Sequence, residues 1–266
     1  MLTHTESRYS SGKWRGRVAS DWQEEFSDFD QWYQEHDGET VVSYRSRQVR
    51  RVRTARGTVY VKSIWGLTDP GMTGQDLLSF LKWVFRPSRA LACWRVSWQL
   101  LEAGFHCARP VLAIRRRSSL GYPSDVFISE EINAPMISDL LPKMAAGEQA
   151  DLALLLGREL QKLHAAGFVH GDCILRNICL TSGKELVYLD NDRSKVRGIA
   201  SPFSRSIRNL AQIGYSARRC GAGPEFPPRL FKAYAQQAGW SESQSQKRSK
   251  RLCAAIEKRL ENRLKK

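Results

Sequence analysis

Acidic residues are scarce here relative to basic ones: 27 Asp and Glu stand against 42 Lys and Arg, a formal charge of +15. The imbalance favours polyanionic partners, whether nucleic acid, an anionic membrane face or a phosphorylated glycolipid, although a plain basic surface gives the same number. Long apolar runs are absent as well. No eighteen uncharged apolar residues occur in a row, and the longest candidate, residues 77–85, is broken by Lys82, which argues against a bilayer-spanning helix. Residues 1–14 are polar and lack the apolar stretch of a secretory signal. The six cysteines (93, 107, 173, 179, 220, 253) form no Cys-x-x-Cys pair and have no histidines at zinc-finger spacing. Cys173 and Cys179 are therefore expected as small buried apolar side chains in a reducing compartment. Together these absences lead to the expectation of a cytoplasmic protein that is not integral to a membrane. Its 266 residues are enough for one large domain or two lobes.

What is present reads as strands first and helices later. Residues 1–25 are polar and of mixed charge, which predicts a loosely ordered arm. Residues 41–44 and 48–52 predict short strands, and the β-branched run 58–64 after an Arg56-Gly57 turn predicts the second arm of a hairpin, with Lys62 near its end. Asp69-Pro70-Gly71 breaks the chain, and a helix is expected at about 75–85. Pro87 opens another, with Leu91, Trp94, Trp98 and Leu101 on one face and Gly104 at its end. Strands follow at 111–114 and 125–130. Asn133-Ala134-Pro135 then divides a strand-rich N-lobe (26–132) from a helical C-lobe (133–266). In the latter, Leu152, Leu155, Leu156, Leu160 and Leu163 line a helix closed by Gly167, a second hairpin spans 178–189, and residues 205–266 are mostly helical.

The chemistry-bearing constellation lies between that helix and that hairpin. His170-Gly171-Asp172-Cys173-Ile174-Leu175-Arg176-Asn177 has the His-x-Asp-x-x-x-x-Asn spacing of a kinase catalytic loop. Phosphoryl transfer needs a carboxylate on the acceptor hydroxyl, oxygen ligands for Mg²⁺ and a cation on the phosphates of ATP. Asp172 is the candidate base; Asn177 and Asp190, which ends the strand after the hairpin turn, are the candidate metal ligands; Lys62 is the candidate phosphate cation. His170 is read as bracing the loop through a backbone hydrogen bond in preference to moving a proton. Asp192 and Arg193 contact metal or substrate, or brace the loop as an ion pair. The fold class implied is α+β and protein-kinase-like, with a small antiparallel-sheet N-lobe and a mainly helical C-lobe.

Several stretches resemble the lipopolysaccharide kinase family, which phosphorylates Kdo or heptose of the inner core. Gly57-Thr58-Val59-Tyr60-Val61-Lys62 is similar to its strand ending in the ATP-binding lysine, and residues 103–110 to its turn after the helix. Residues 163–172 resemble its approach to the base, and 208–213 the helix that follows. Leu189-Asp190-Asn191-Asp192-Arg193 resembles the Asp-x-Asp-Arg ending that stands where protein kinases have Asp-Phe-Gly. The resemblance runs from about residue 40 to the C-terminus. It implies ATP and Mg²⁺ as cofactors, the roles given above for Asp172, Asn177, Asp190 and Lys62, and core glycolipid as substrate at the inner membrane; no nucleic acid is expected.

Two features depart from protein kinases. The helix expected at about 88–103 has no acid before Glu102, so either another acid, for instance Asp76, pairs with the lysine or the pairing is absent. Residues 44–52 contain four arginines and no glycine where a glycine-rich phosphate loop is expected. An atypical protein kinase and a weakly catalytic pseudokinase scaffold in cell-envelope biogenesis therefore stand as alternatives. At the C-terminus, Leu252, Ile256, Leu260 and Leu264 recur every four residues among Lys and Arg. That pattern suits either a helix packed on the second lobe or an interfacial helix on an anionic leaflet. Trp65, Trp83, Trp94 and Trp98 pose the same choice between core and lipid-facing patch, with helical spacing favouring core for the last two.

Overall fold

The computed structural model describes residues 6–44, 46–65, 85–119, 121–197 and 203–264, with side chains to 261. The chain forms two compact units: residues 1–99 with 108–132, and residues 100–107 with 133–266. The helix expected at 75–85, with Asp76 and Trp83, lies outside the described residues.

In the first unit the strands are β1 (Glu6–Ser11), β2 (Trp14–Ala19), β3 (Glu39–Tyr44), β4 (Arg47–Thr54) and β5 (Gly57–Trp65), with helix α1 (Phe29–Glu35) between β2 and β3. Helix α2 (Arg89–Glu102) and the short β6 (His106–Cys107), of which residues 100–107 belong to the second unit, lead to β7 (Pro110–Arg117) and β8 (Pro123–Glu130). Seven strands form one sheet in the order β1-β2-β7-β8-β5-β4-β3, every neighbour antiparallel. The predicted β4–β5 hairpin is the regular part of it: Val52 pairs with Val59 and Val49 with Lys62. Val52, Val59 and Val61 are fully buried on one face, as strand alternation requires.

Residues 6–19 are not a loose arm. They form the β1–β2 hairpin, and β2 joins the sheet by pairing with β7. The cause is an aromatic cluster that runs from β2 into the segment after it: Trp14, Trp22, Phe26, Phe29 and Trp32 are all buried and pack ring against ring. Burying several such side chains contributes on the order of 2 kcal/mol each, enough to order a polar hairpin attached to them.

Asp125 fixes the start of α2. It accepts from the Ser88 hydroxyl (3.0 Å) and the Arg89 backbone N–H (2.8 Å), and takes Arg115 Nε and Nη2 at 2.6 and 3.1 Å. Trp94 and Trp98 of α2 are buried, which makes them core residues.

The second unit contains α3 (Ile137–Leu140), α4 (Ala146–Ala165), β9 (Phe168–Val169), β10 (Ile178–Leu180), β11 (Leu186–Tyr188), β12 (Lys195–Val196), α5 (Phe203–Arg219), α6 (Phe226–Gln237) and α7 (Glu242–Leu264). Strands β10 and β11 form the predicted hairpin, and β11 pairs in parallel with β6. Helices α4 and α6 approach closely at Gly157, where a Cβ would overlap the Leu230 carbonyl oxygen. Helix α7 lies against α5: Leu252 and Ile256 are buried, and Gly214 leaves room for the Ile256 side chain. Those two apolar residues are thus packed on the second unit and do not form an exposed stripe.

Candidate active site

The predicted catalytic loop leaves β9 and is held along its length by one face of α5. Asn209, Gln212 and Ser216, spaced i, i+3, i+7, point at it in turn. Asn209 accepts from the His170 N–H (3.0 Å) and donates to the His170 carbonyl (2.8 Å). Gln212 Nε2 donates to Asp172 Oδ1 (3.0 Å), and its Oε1 accepts from the Cys173 N–H (3.4 Å). Ser216 accepts from the Leu175 N–H at 3.1 Å. Arg208, the residue before Asn209, donates from Nη2 to the Gly171 carbonyl at 2.9 Å.

The hairpin is tied to the same loop through Leu189. Its N–H donates to the Asn177 carbonyl (2.9 Å), and its carbonyl accepts from His170 Nε2 (2.8 Å). Asp190, the next residue, is therefore carried to the loop by backbone bonds on both sides of its neighbour. It adopts a left-handed conformation (φ 55°) that Asp and Asn tolerate better than most residues. Asn177 Nδ2 donates to the Asp172 carbonyl at 2.9 Å, which leaves Oδ1 as the atom of that amide able to bind a cation.

His170 works as a brace. Nε2 donates to Leu189, and Nδ1 accepts from the Asp172 N–H at 3.1 Å, so the ring is the neutral Nε2–H tautomer. Burial pushes its pKa down, against the opposing pull of the Leu189 carbonyl and of the Asp190 and Asp172 carboxylates. Both carboxylates thus act on one imidazole. Gly171 lets Arg193 approach, since a Cβ there would stand 2.5 Å from the Arg193 carbonyl carbon. What Arg193 gives the loop is its backbone, continued by Ser194, whose hydroxyl accepts from the Gly171 N–H at 3.0 Å.

Behind the loop lies a buried polar network. His164 of α4 donates from Nε2 to Asn209 Oδ1 (3.1 Å) and accepts at Nδ1 from the Tyr234 hydroxyl of α6 (3.0 Å). Asn209 Nδ2 reaches Gln212 Oε1 at 3.1 Å, so the chain ends at Asp172. Burial lowers the His164 pKa to about 4. Burial also raises the Cys173 thiol, which keeps it protonated and inert at neutral pH.

The structure therefore brings His170, Asp172, Asn177, Asp190 and Arg193 together in the second unit, with Asp192 in the turn between the last two. Lys62 belongs to the first unit, half-buried on β5 opposite Val49 and Phe127. Residue-by-residue reading assigned no role to Asn209, Gln212 or Ser216. The signal that could have found them is their polar 3–4 spacing beside the buried apolar residues Leu210, Ile213 and Ala217. Among the described residues, no three His, Cys, Asp or Glu cluster as a metal-binding group.

Comparison with known proteins follows the geometry. The model of the lipopolysaccharide kinase (Kdo/WaaP) family matches residues 30–246. The 3-deoxy-D-manno-octulosonic acid kinase of Vibrio vulnificus is 27% identical over 150 residues, which is 53% of this chain and 62% of that protein. The corresponding kinase of Vibrio parahaemolyticus is 28% identical over 96 residues, 36% of this chain and 40% of that one. The match thus spans less than two thirds of these relatives. The KEOPS complex subunit Bud32 of Pyrococcus abyssi is 36% identical over 59 residues, 22% of this chain and 27% of its own. Among solved structures, WaaP in complex with acyl carrier protein superposes with a TM-score of 0.67 at 17% identity, covering 92% of this chain and 97% of that one; that likeness is one of fold, and the fold is kinase-like.

Proposed function

The chain belongs to the lipopolysaccharide kinase (Kdo/WaaP) family, and from that premise we propose that it is an ATP-dependent kinase acting on a heptose or Kdo sugar of the lipopolysaccharide inner core. The observation that carries this reading is the backbone clamp at Leu189, which ties Asp190 to the loop bearing Asp172 and Asn177. Asp172 is the base. Gln212 occupies its Oδ1, so Oδ2 orients the acceptor hydroxyl and takes its proton as the phosphoryl group is transferred. Asn177 Oδ1 and the exposed Asp190 carboxylate are hard oxygen donors of the kind Mg²⁺ takes, with phosphate oxygens and water completing the shell. When bound, that ion neutralises phosphate charge. Lys62 contacts the ATP phosphates, which makes the first unit the nucleotide-binding lobe and the second the catalytic lobe.

The same reading puts the enzyme at the cytoplasmic face of the inner membrane. No helix among the described residues is long and apolar enough to cross a membrane. Lys247, Lys250, Arg251 and Lys258 of α7 are exposed and supply a basic face for an anionic leaflet. Contact of this kind is electrostatic, so sedimentation with anionic vesicles should fall as salt rises or as these four residues are neutralised.

The deciding experiment is phosphate analysis of core oligosaccharide from cells lacking the protein, complemented with wild type, Asp172→Ala or Asp190→Asn. Only the wild type should restore the phosphate. Equal phosphorylation in all strains would overturn the assignment.

A further inference from the structure

Beside Asp172 the second unit holds two arginines that phosphoryl transfer, as described above, does not employ. Arg208 belongs to α5 and anchors the Gly171 carbonyl through Nη2. Arg259 belongs to α7. It follows the buried Leu252 and Ile256 at i+7 and i+3, on the face of α7 that packs on α5. That packing is fixed further along by Ile256 against Gly214 and by Arg218 Nη1 on Glu257 Oε1 at 2.6 Å.

The groups whose charge acts on Arg259 are Arg208, Asp172 and Tyr215. Arg208, Gln212 and Tyr215 fall at i, i+4, i+7 on α5, the stripe from which Gln212 reaches Asp172. The Arg259 guanidinium is therefore on the side of α7 that faces this stripe, within reach of the charge of the candidate base. It is half-buried, and among the described residues it makes no hydrogen bond or ion pair. Burial and the charge of Arg208 both disfavour its protonated form. Asp172 opposes them, but Gln212 already holds one of its oxygens. One partly desolvated guanidinium, a second close enough for its charge to act on the first, and one shared carboxylate within the same range form a site short of negative charge.

We propose that Arg208 and Arg259 form an anion-binding subsite next to Asp172 that takes a carboxylate or phosphate group of the acceptor sugar. A guanidinium pair suits such a group because its planar donors match two oxygens at once. The subsite rests on the kinase reading for its position beside the reacting hydroxyl. It makes the C-terminal helix a substrate-binding element, and it selects acidic sugars over neutral ones of the same shape.

The test uses the full-length chain, with Arg259→Gln and Arg259→Lys, and three acceptors: core oligosaccharide bearing the acid sugar, the same compound reduced at the carboxyl, and the same compound dephosphorylated. Binding is followed by calorimetry and turnover by labelled ATP. R259Q should weaken binding of the anionic acceptor, and raise its KM, by roughly tenfold or more, the loss expected for a hydrogen bond to a charged group. R259K should retain most of the affinity, and the KM for ATP should not move. On the acceptor stripped of the recognised anion, wild type and R259Q should bind alike; whichever treatment produces that equality identifies the group. If R259Q instead discriminates anionic from neutral acceptors as well as wild type does, or if its defect lies in the KM for ATP, the inference fails. Binding is measured without turnover. A chain that binds the acid sugar through Arg259 but transfers no phosphate therefore refutes the kinase reading and not the subsite.

Discussion

Gly171 shows how narrowly the loop is built at the level of single residues. Its N–H is taken by Ser194, its carbonyl by Arg208, and the space a side chain needs by Arg193. Gly171→Ala must move backbone, because Arg193 Cα and carbonyl carbon cannot yield as a side-chain tip would. A displacement near 1 Å at Asp172 would follow, and kcat should fall about a hundredfold; steady-state kinetics beside a thermal melt would separate this from simple unfolding. Asp172, Asn177 and Asp190 stand out in the sequence because phosphate chemistry demands oxygen donors at set spacings, and the fold carries all three to one loop and hairpin. Gln212 does not stand out, since it meets Asp172 from 40 positions away, and no local rule joins them. His164 adds a pH dependence. With its folded pKa near 4 and burial as the main cause, the unfolded chain takes up the proton first. Stability is thus full above pH 6.5 and declines as pH falls towards 4, by roughly 3 kcal/mol for this group alone. Urea unfolding at pH 7 and pH 4.5 should show a smaller difference in His164→Gln than in wild type, from a lower starting stability.

Elements were legible in proportion to their length and regularity. The β4–β5 hairpin, α2 and α4 each repeat a buried pattern over several residues, and each lies where periodicity predicts it. The β1–β2 hairpin does not repeat one: its buried residues are Tyr9, Trp14, Val18 and Ala19, diluted by Arg and Ser. Its order comes from Trp14 packing on aromatic residues farther along, which no window over the strands themselves contains. Strands β6, β9 and β12 are two residues each, too short for any period. Helix α2 begins where a residue of another element tells it to. Asp125, on β8, caps its first turn while held by Arg115. Asp125→Ala removes the cap and strands a largely buried arginine, and should cost about 3 kcal/mol or more; chemical denaturation would read this as a lower midpoint with an unchanged slope.

At the scale of the whole molecule, composition was informative about sign and silent about place. The +15 charge is spread along the sequence, yet the fold draws some of it inward. Arg248 lies over the Trp240 ring at 3.9 Å and the Phe203 ring at 5.3 Å, and Arg259 is half-buried within reach of the charge of Arg208. A helix that looks from its sequence like a free basic tail is pinned near both ends to α5. The pairing of β6 with β11 has a different reach. Residues 100–107 belong to the second unit, although the chain before and after them belongs to the first. Neither unit is therefore a continuous gene segment. A fragment starting at residue 133 would lack β6 and expose the β11 edge at Val187 and Tyr188, an invitation to intermolecular pairing. Such a fragment should express as aggregate, and adding residues 100–107 through a linker should recover soluble material, as size-exclusion chromatography would show.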